Sequence, residues 1–138
     1  MQKLYKNPDS LPDWSVMFTQ VVVVEHDGLK FFHISGQVGV DQDKQLTGDG
    51  NFREQTRQSL TNLQAALASG GATFRDVVKL VIYVVNYQYD LASVIREELL
   101  KVFPKDRLPA LSLIGVAALA EERFLIEMDA EAITHTVE

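Results

Sequence analysis

The chain has 138 residues, enough for a single domain with a sizeable core, and its 46% hydrophobic and 23% charged residues exclude a disordered polymer. A net charge of -6 disfavours a phosphate-backbone partner, so nucleic acid is an unlikely ligand. The absence of cysteine excludes disulfides, thiolate zinc sites and a cysteine nucleophile.

Taken in chain order, Asn7 to Asp13 holds two prolines and is a turn-rich entry. Met17 to Val24 is β-branched and predicts a strand. Asp27-Gly28 is a hairpin turn signal, with Lys30 to Ser35 returning as the second strand. Ser35-Gly36-Gln37-Val38-Gly39 then interrupts the pattern, and glycine there implies a bulge or a backbone that something approaches closely. Asp41 to Gly50 is a polar loop. Its three aspartates lack the glycine and terminal glutamate of an EF-hand, so it is expected to bind no calcium.

Asn51 with Glu54 opens a helix whose Phe52, Thr56, Leu60, Leu63, Ala66 and Leu67 recur at helical spacing, and Gly70-Gly71 ends it. Thr73 and Asp76 mark a further single turn. Val77 to Asn86 is a strand apolar on both faces. Asp90 is the expected cap of a second helix with Leu91, Val94, Ile95, Leu99 and Val102 inward, and Pro104 stops it. The last third reads as two strands joined by Ala120-Glu121-Glu122-Arg123. Residues 110–118 are apolar on both faces. Along the second strand Phe124, Ile126, Met128, Ala130 and Ala132 face one way, and Leu125, Glu127, Asp129 and Glu131 the other.

The expected fold is therefore α+β: a single domain over residues 1–138, one mixed sheet, and two helices on one of its faces. Strands at 17–24, 77–85 and 110–118 are apolar on both faces, and nothing else in the chain is available to cover the second. A homo-oligomer with sheets inside and helices outside follows. The apolar runs are about half of the roughly 20 residues that cross a bilayer, and Met1 to Lys6 lacks the apolar core of a signal peptide. No membrane contact and a cytoplasmic location are expected.

Ser35-Gly36-Gln37, Gln55-Thr-Arg-Gln-Ser-Leu-Thr-Asn-Leu63, Gly70-Gly-Ala-Thr-Phe-Arg-Asp-Val-Val-Lys79, Pro109-Ala110 and Ile126-Glu127, in that order, resemble the Rid family. These are the reactive intermediate deaminases, also called YjgF-type or L-PSP proteins. The resemblance spans roughly residues 12–133. It implies a chorismate-mutase-like fold, a homotrimer with three intersubunit clefts, and cofactor-free, metal-free hydrolysis of enamines and imines such as 2-aminoacrylate. Some members are described as endoribonucleases.

Carried over by position, the resemblance makes Glu127 the catalytic carboxylate, and Trp14, Ser35, Gly36, Leu111 and Leu113 substrate contacts. The family's Pro-Ala-Arg-Ser is here Pro109-Ala110-Leu111-Ser112, so its carboxylate-gripping arginine is replaced by leucine. An asparagine often found early in the second helix is replaced by Ile95. Arg107 and Arg57 are candidate substitutes for the missing guanidinium, and surface charge is the plainer reading of both. Glu127, read from its strand alone, is more readily one of a solvated acidic row with Asp129 and Glu131, and the resemblance reverses that reading. No histidines stand at ligand spacing, so no metal is expected. Two classes of function remain: a deaminase acting on a small molecule less charged than 2-aminoacrylate, and a trimeric binding protein that has lost the chemistry. The endoribonuclease reading is third.

Overall fold

The computed structural model describes residues 1–137. Among them, six strands form one sheet: β1 (Gln2–Lys6), β2 (Val21–His26), β3 (Leu29–Val38), β4 (Val77–Val85), β5 (Ala110–Val116) and β6 (Ile126–His135). Helix α1 (Phe52–Ala68) joins β3 to β4, and helix α2 (Leu91–Val102) joins β4 to β5. Across the sheet the order is β1-β2-β3-β6-β4-β5. Every pair is antiparallel except β4–β5, as the intervening helix requires. This is the mixed sheet with two helices expected from the sequence.

The helices share one face. Alternate strand residues, among them Val21, Val23, Phe32, Ile34, Leu80, Ile82, Ile126 and Met128, are buried beneath Leu60, Leu63, Leu67 and Ile95. The opposite face carries Val22, Val24, Phe31, Val81 and Tyr83, all partly exposed, around the row Glu127, Asp129, Glu131. No helix covers it among the described residues.

Several expectations are corrected. The last third is not a hairpin. Strand β6 passes over β4 to pair with β3 and β4, while β5 lies at the sheet edge, parallel to β4. Residues 117–125 are long enough for that crossing, and strand alternation reports which faces are buried but not which neighbour is paired. Strand β2 begins at Val21 rather than Met17. Gln20 ties the incoming segment into a loop, its backbone N–H donating to Asn7 Oδ1 at 3.0 Å and its side-chain amide to the Pro12 carbonyl at 3.0 Å. Val16 and Met17 are left almost fully exposed. Strand β1 is an addition to the expected elements: in five residues its Leu4 and Tyr5 stand side by side between Lys3 and Lys6, so no strand period shows. Strand β3 continues to Val38 through a register shift between Ile34 and Gln37, so Ser35-Gly36 is a bulge within it. Asp90 precedes α2 without a side-chain capping bond, whereas Asn51 caps α1 and Thr73–Asp76 form a full capping box.

The helices are also joined by a charge cluster. Glu98 on α2 is 2% exposed and accepts from Arg53 and Arg57 at 2.7 Å each and from Lys101 at 2.8 Å. Burial alone would raise its pKa, but the hydrogen bonds from Arg57, Lys101 and Arg53 overcome that and hold it at about 2. A carboxylate held below its unfolded value near 4.5 adds stability above that pH and loses it as pH falls toward 2. Its cations are 35–56% exposed, which screens the effect. Allowing for that, Glu98→Gln should lower stability at pH 7 by about 1–2 kcal/mol and flatten the loss between about pH 4.5 and 2. Urea denaturation at both ends of that range measures it. An unchanged acid limb in the variant would place the stabilisation elsewhere.

Candidate functional site

Glu127 occupies the second position of β6, on the face opposite the helices, and is half-buried. Two buried amides on α1 fix the backbone around it. Gln55 accepts from the Leu125 N–H at 2.9 Å and donates to the carbonyls of Gly48 (3.2 Å) and Arg123 (3.0 Å). Asn62 donates to the carbonyls of Val38 (3.0 Å) and Val40 (2.8 Å). One amide therefore positions the chain entering β6, and the other the chain leaving β3. A third, Gln37, donates to Gln20 Oε1 at 2.8 Å and to the Ser35 carbonyl at 2.9 Å, which sets the bulge. Each of these three amides is hydrogen-bonded, so the strand ends are held in one geometry.

The bulge puts Gly36 directly against Glu127. A Cβ at Gly36 would lie 2.7 Å from Glu127 Cγ and 2.7 Å from its Oε2. A side chain at position 36 would therefore displace Glu127 from this position. The Glu127 pKa is raised, first by burial and then by the charge of Asp129, two residues along the same face. Asp129 is raised too, by burial and by Glu131, against a hydrogen bond from Tyr83 that pulls it down. The Tyr83 hydroxyl is held up mainly by the Asp129 charge.

Glu127 and Gly36 open into a cavity of about 380 Å³ walled by Trp14, Met17, Phe18 and Phe124. The cavity combines an apolar, aromatic wall with two carboxylates, Glu121 and Glu127, the second of elevated pKa, the composition of a small-molecule site. Lys44 stands at its rim, its ammonium 4.6 Å from the centre of the Trp14 ring. The sequence reading treated residues 41–50 only as solvated loop and missed Lys44. A lone lysine in a polar loop carries no signal that it meets a tryptophan thirty positions earlier.

Of the residues singled out from sequence, Trp14, Gly36 and Glu127 meet at this cavity. Ser35 lies one step away, on the neighbouring cleft lined by Asp129 and Glu131, and its hydroxyl donates to the Thr19 carbonyl at 2.6 Å. Leu111 and Leu113 lie elsewhere within the chain. They pair with Leu80 and Ile82, whose side chains are buried on the helix face. There they line a separate, almost wholly apolar groove of about 410 Å³ with Ile95, Leu99 and Phe103 of the α2 region. Arg107, in the α2–β5 connection, is exposed. Arg57 is engaged by Glu98. Ile95 is a core residue, 3% exposed. Among the described residues no three His, Asp or Glu side chains cluster as metal ligands, and no helix is long and apolar enough to cross a membrane.

Gly36→Ala should force the Glu127 side chain outward into water and lower its pKa toward the ordinary carboxylate value. Asp129→Asn should lower the same pKa without moving the side chain. Carboxyl-carbon NMR titration of Glu127 in each variant measures this. A midpoint unmoved by either change would remove burial and Asp129 as its causes.

With this geometry in place, comparison with known proteins is informative. Residues 12–134 match the family model described as Endoribonuclease L-PSP. The human 2-iminobutanoate/2-iminopropanoate deaminase is 31% identical over 116 residues, covering 84% of this chain and 79% of that protein. The solved structure of a Thermotoga maritima protein, provisionally described as an endoribonuclease, superposes with a TM-score of 0.83 at 29% identity, covering 99% of this chain and all of the other. A protein of unknown function from the conserved Rid family of Yersinia pestis gives a TM-score of 0.81 at 25% identity, covering 95% of this chain and 98% of the other.

Proposed function

Because the chain belongs to the L-PSP endoribonuclease family, which includes the Rid imine deaminases, we propose that it is a hydrolytic deaminase of an enamine or imine. The observation that carries this reading is Glu127: a half-buried carboxylate of raised pKa, held by a glycine bulge at the floor of an aromatic-walled cavity. Its ionised form would take a proton from the attacking water as it adds to the imine carbon. The protonated form would return it to the nitrogen of the resulting carbinolamine, and the same carboxylate would then carry the carbinolamine hydroxyl proton to that nitrogen as the C–N bond breaks, leaving a carbonyl and ammonia. No group beyond the carboxylate is needed for these transfers. A pKa above the ordinary carboxylate value brings that carboxylate nearer to neutrality, where such exchange is most efficient.

The cavity is open in a single chain, and the sheet face that bears Glu127 keeps half-exposed Val22, Val24, Phe31 and Val81. A homotrimer with these faces inward would cover both, so the working site is read as a cleft between subunits. Leu111 is on the helix face of its own chain. It reaches a ligand at Glu127 only from a neighbouring subunit, across the edge of β5. In that arrangement leucine stands where the family has arginine, and the favoured substrate is larger or less charged near the imine than 2-aminoacrylate. A trimeric binding protein without turnover is the alternative. The acidic row of Glu127, Asp129 and Glu131 and the net charge of -6 weigh against RNA.

Four measurements test this. Imines generated in situ by an amino-acid oxidase should release ammonia faster with the protein, and Glu127→Gln should abolish the acceleration. Loss of activity at low pH should follow Glu127 protonation, and Asp129→Asn should move that limb to lower pH. Small amino-acid imines should be poor substrates, improved roughly thirty- to a thousandfold by Leu111→Arg, the value of a charge-assisted bidentate contact. Full activity of Glu127→Gln would exclude the carboxylate mechanism. A monomer in sedimentation equilibrium would exclude the intersubunit cleft.

A further inference from the structure

We infer that Lys44, with Trp14 beneath it, forms the anion-binding end of the Glu127 cavity, and that the substrate is a planar or aromatic imine bearing an anionic group remote from the reacting carbon. The inference rests on the reading that this cavity is the substrate site, and it adds the part that reading lacks: a cation. Lys44 is the one cation among the described residues that line the cavity. Arg123, which shares a neighbouring cleft with Lys44, and several basic side chains elsewhere in the fold are engaged. Arg123 reaches Asp49 at 3.5 Å, Arg53 and Arg57 serve Glu98, and Lys79 donates to Ser112 at 3.0 Å. Lys44 is in no ion pair among the described residues. Asp13 feels its charge only weakly, since Ser15 is the main influence on that carboxyl.

Lys44 is also placed by its loop. The Asp41 carboxylate accepts from the N–H groups of Asp43 (2.9 Å) and Gln45 (3.0 Å), and the Asp41 carbonyl accepts from the Lys44 N–H at 3.0 Å. The turn holds Lys44 at φ 63°, a left-handed conformation in which glycine or asparagine is less strained. A lysine kept there extends its ammonium over the face of Trp14. A cation fixed over an aromatic plane at the mouth of an apolar cavity recognises a carboxylate or similar anion attached to a flat, apolar body. The body stacks on Trp14 and Phe124, the anion meets Lys44, and the imine points inward to Glu127. A two- or three-carbon imino acid places its carboxylate next to the imine carbon and has no flat body to bridge the two ends.

Trp14 is the only tryptophan in the chain, so its selectively excited fluorescence reports on this end of the cavity. Titration with phenylacetate and with its neutral isostere phenylacetamide should show the acid binding about tenfold more tightly, the usual order for a charge-assisted contact at a partly exposed site. Lys44→Gln should bring the two ligands level, and Lys44→Arg should restore the preference. Because Lys44 is exposed on a loop, circular dichroism should show the fold unchanged. A preference that survives Lys44→Gln, or a wild-type protein that does not distinguish the ligands, overturns the assignment. Glu127→Gln should keep the preference while losing ammonia release. If the wild-type protein releases no ammonia but Lys44→Gln still erases the preference, the deaminase reading fails and the anion site stands.

Discussion

The fold and the site both depend on the double pairing of β6. This strand is hydrogen-bonded to β3 on one side and β4 on the other, so the last strand in chain order closes the middle of the sheet. Its inner row, Ile126, Met128, Ala130 and Ala132, is buried beneath α1. The small side chains at 130 and 132 let the helix approach closely. Burying the inner row also determines that Glu127, Asp129 and Glu131 stand together on the other face. Two of the three have raised pKa values, first because burial disfavours their charged forms and then because like charges spaced along one strand oppose each other's ionisation.

The central strand would be imprecise at its start without the amides of α1. A helix packed on a sheet through apolar contacts alone can slide with little penalty. Gln55 and Asn62 remove that freedom because any shift leaves buried amides unpaired. They join the end of β3 to the beginning of β6, the two segments that carry Gly36 and Glu127. The polar core of α1 is thus the scaffold of the cavity floor. The Glu98 cluster performs the analogous task on the outside, holding α2 to α1 through charge.

The cavity divides its work between rigid and adaptable parts. Glu127 and Gly36 are on strands. Trp14, Met17 and Phe18 are on the loop that precedes β2, whose turn is closed by N–H groups of Met17 and Phe18 donating to the Trp14 carbonyl at 2.9 and 3.1 Å. Val16 and Met17 are almost fully exposed in the single chain. An apolar loop tip beside a concave site is what a neighbouring subunit or a ligand would cover.

The sequence by itself determined the element types and the inner faces, because the 3.6- and 2-residue periods are local consequences of helix and strand geometry. The core positions of α1 and β6 and the caps at Asn51 and Thr73 were legible in that way. Glu127 was singled out through the family resemblance rather than the strand pattern. Tertiary structure alone decided which strands are neighbours. Residues 110–118 and 124–132 look like a hairpin, yet β4 and β6 adjoin while β5 takes the edge, because pairing partners are selected by the whole sheet and leave no local mark. It also decided that Leu111 and Glu127 of one chain face opposite sides, a matter of register between strands far apart in sequence. Finally it brought Lys44 onto Trp14: two loop residues whose only connection is the folded space between them.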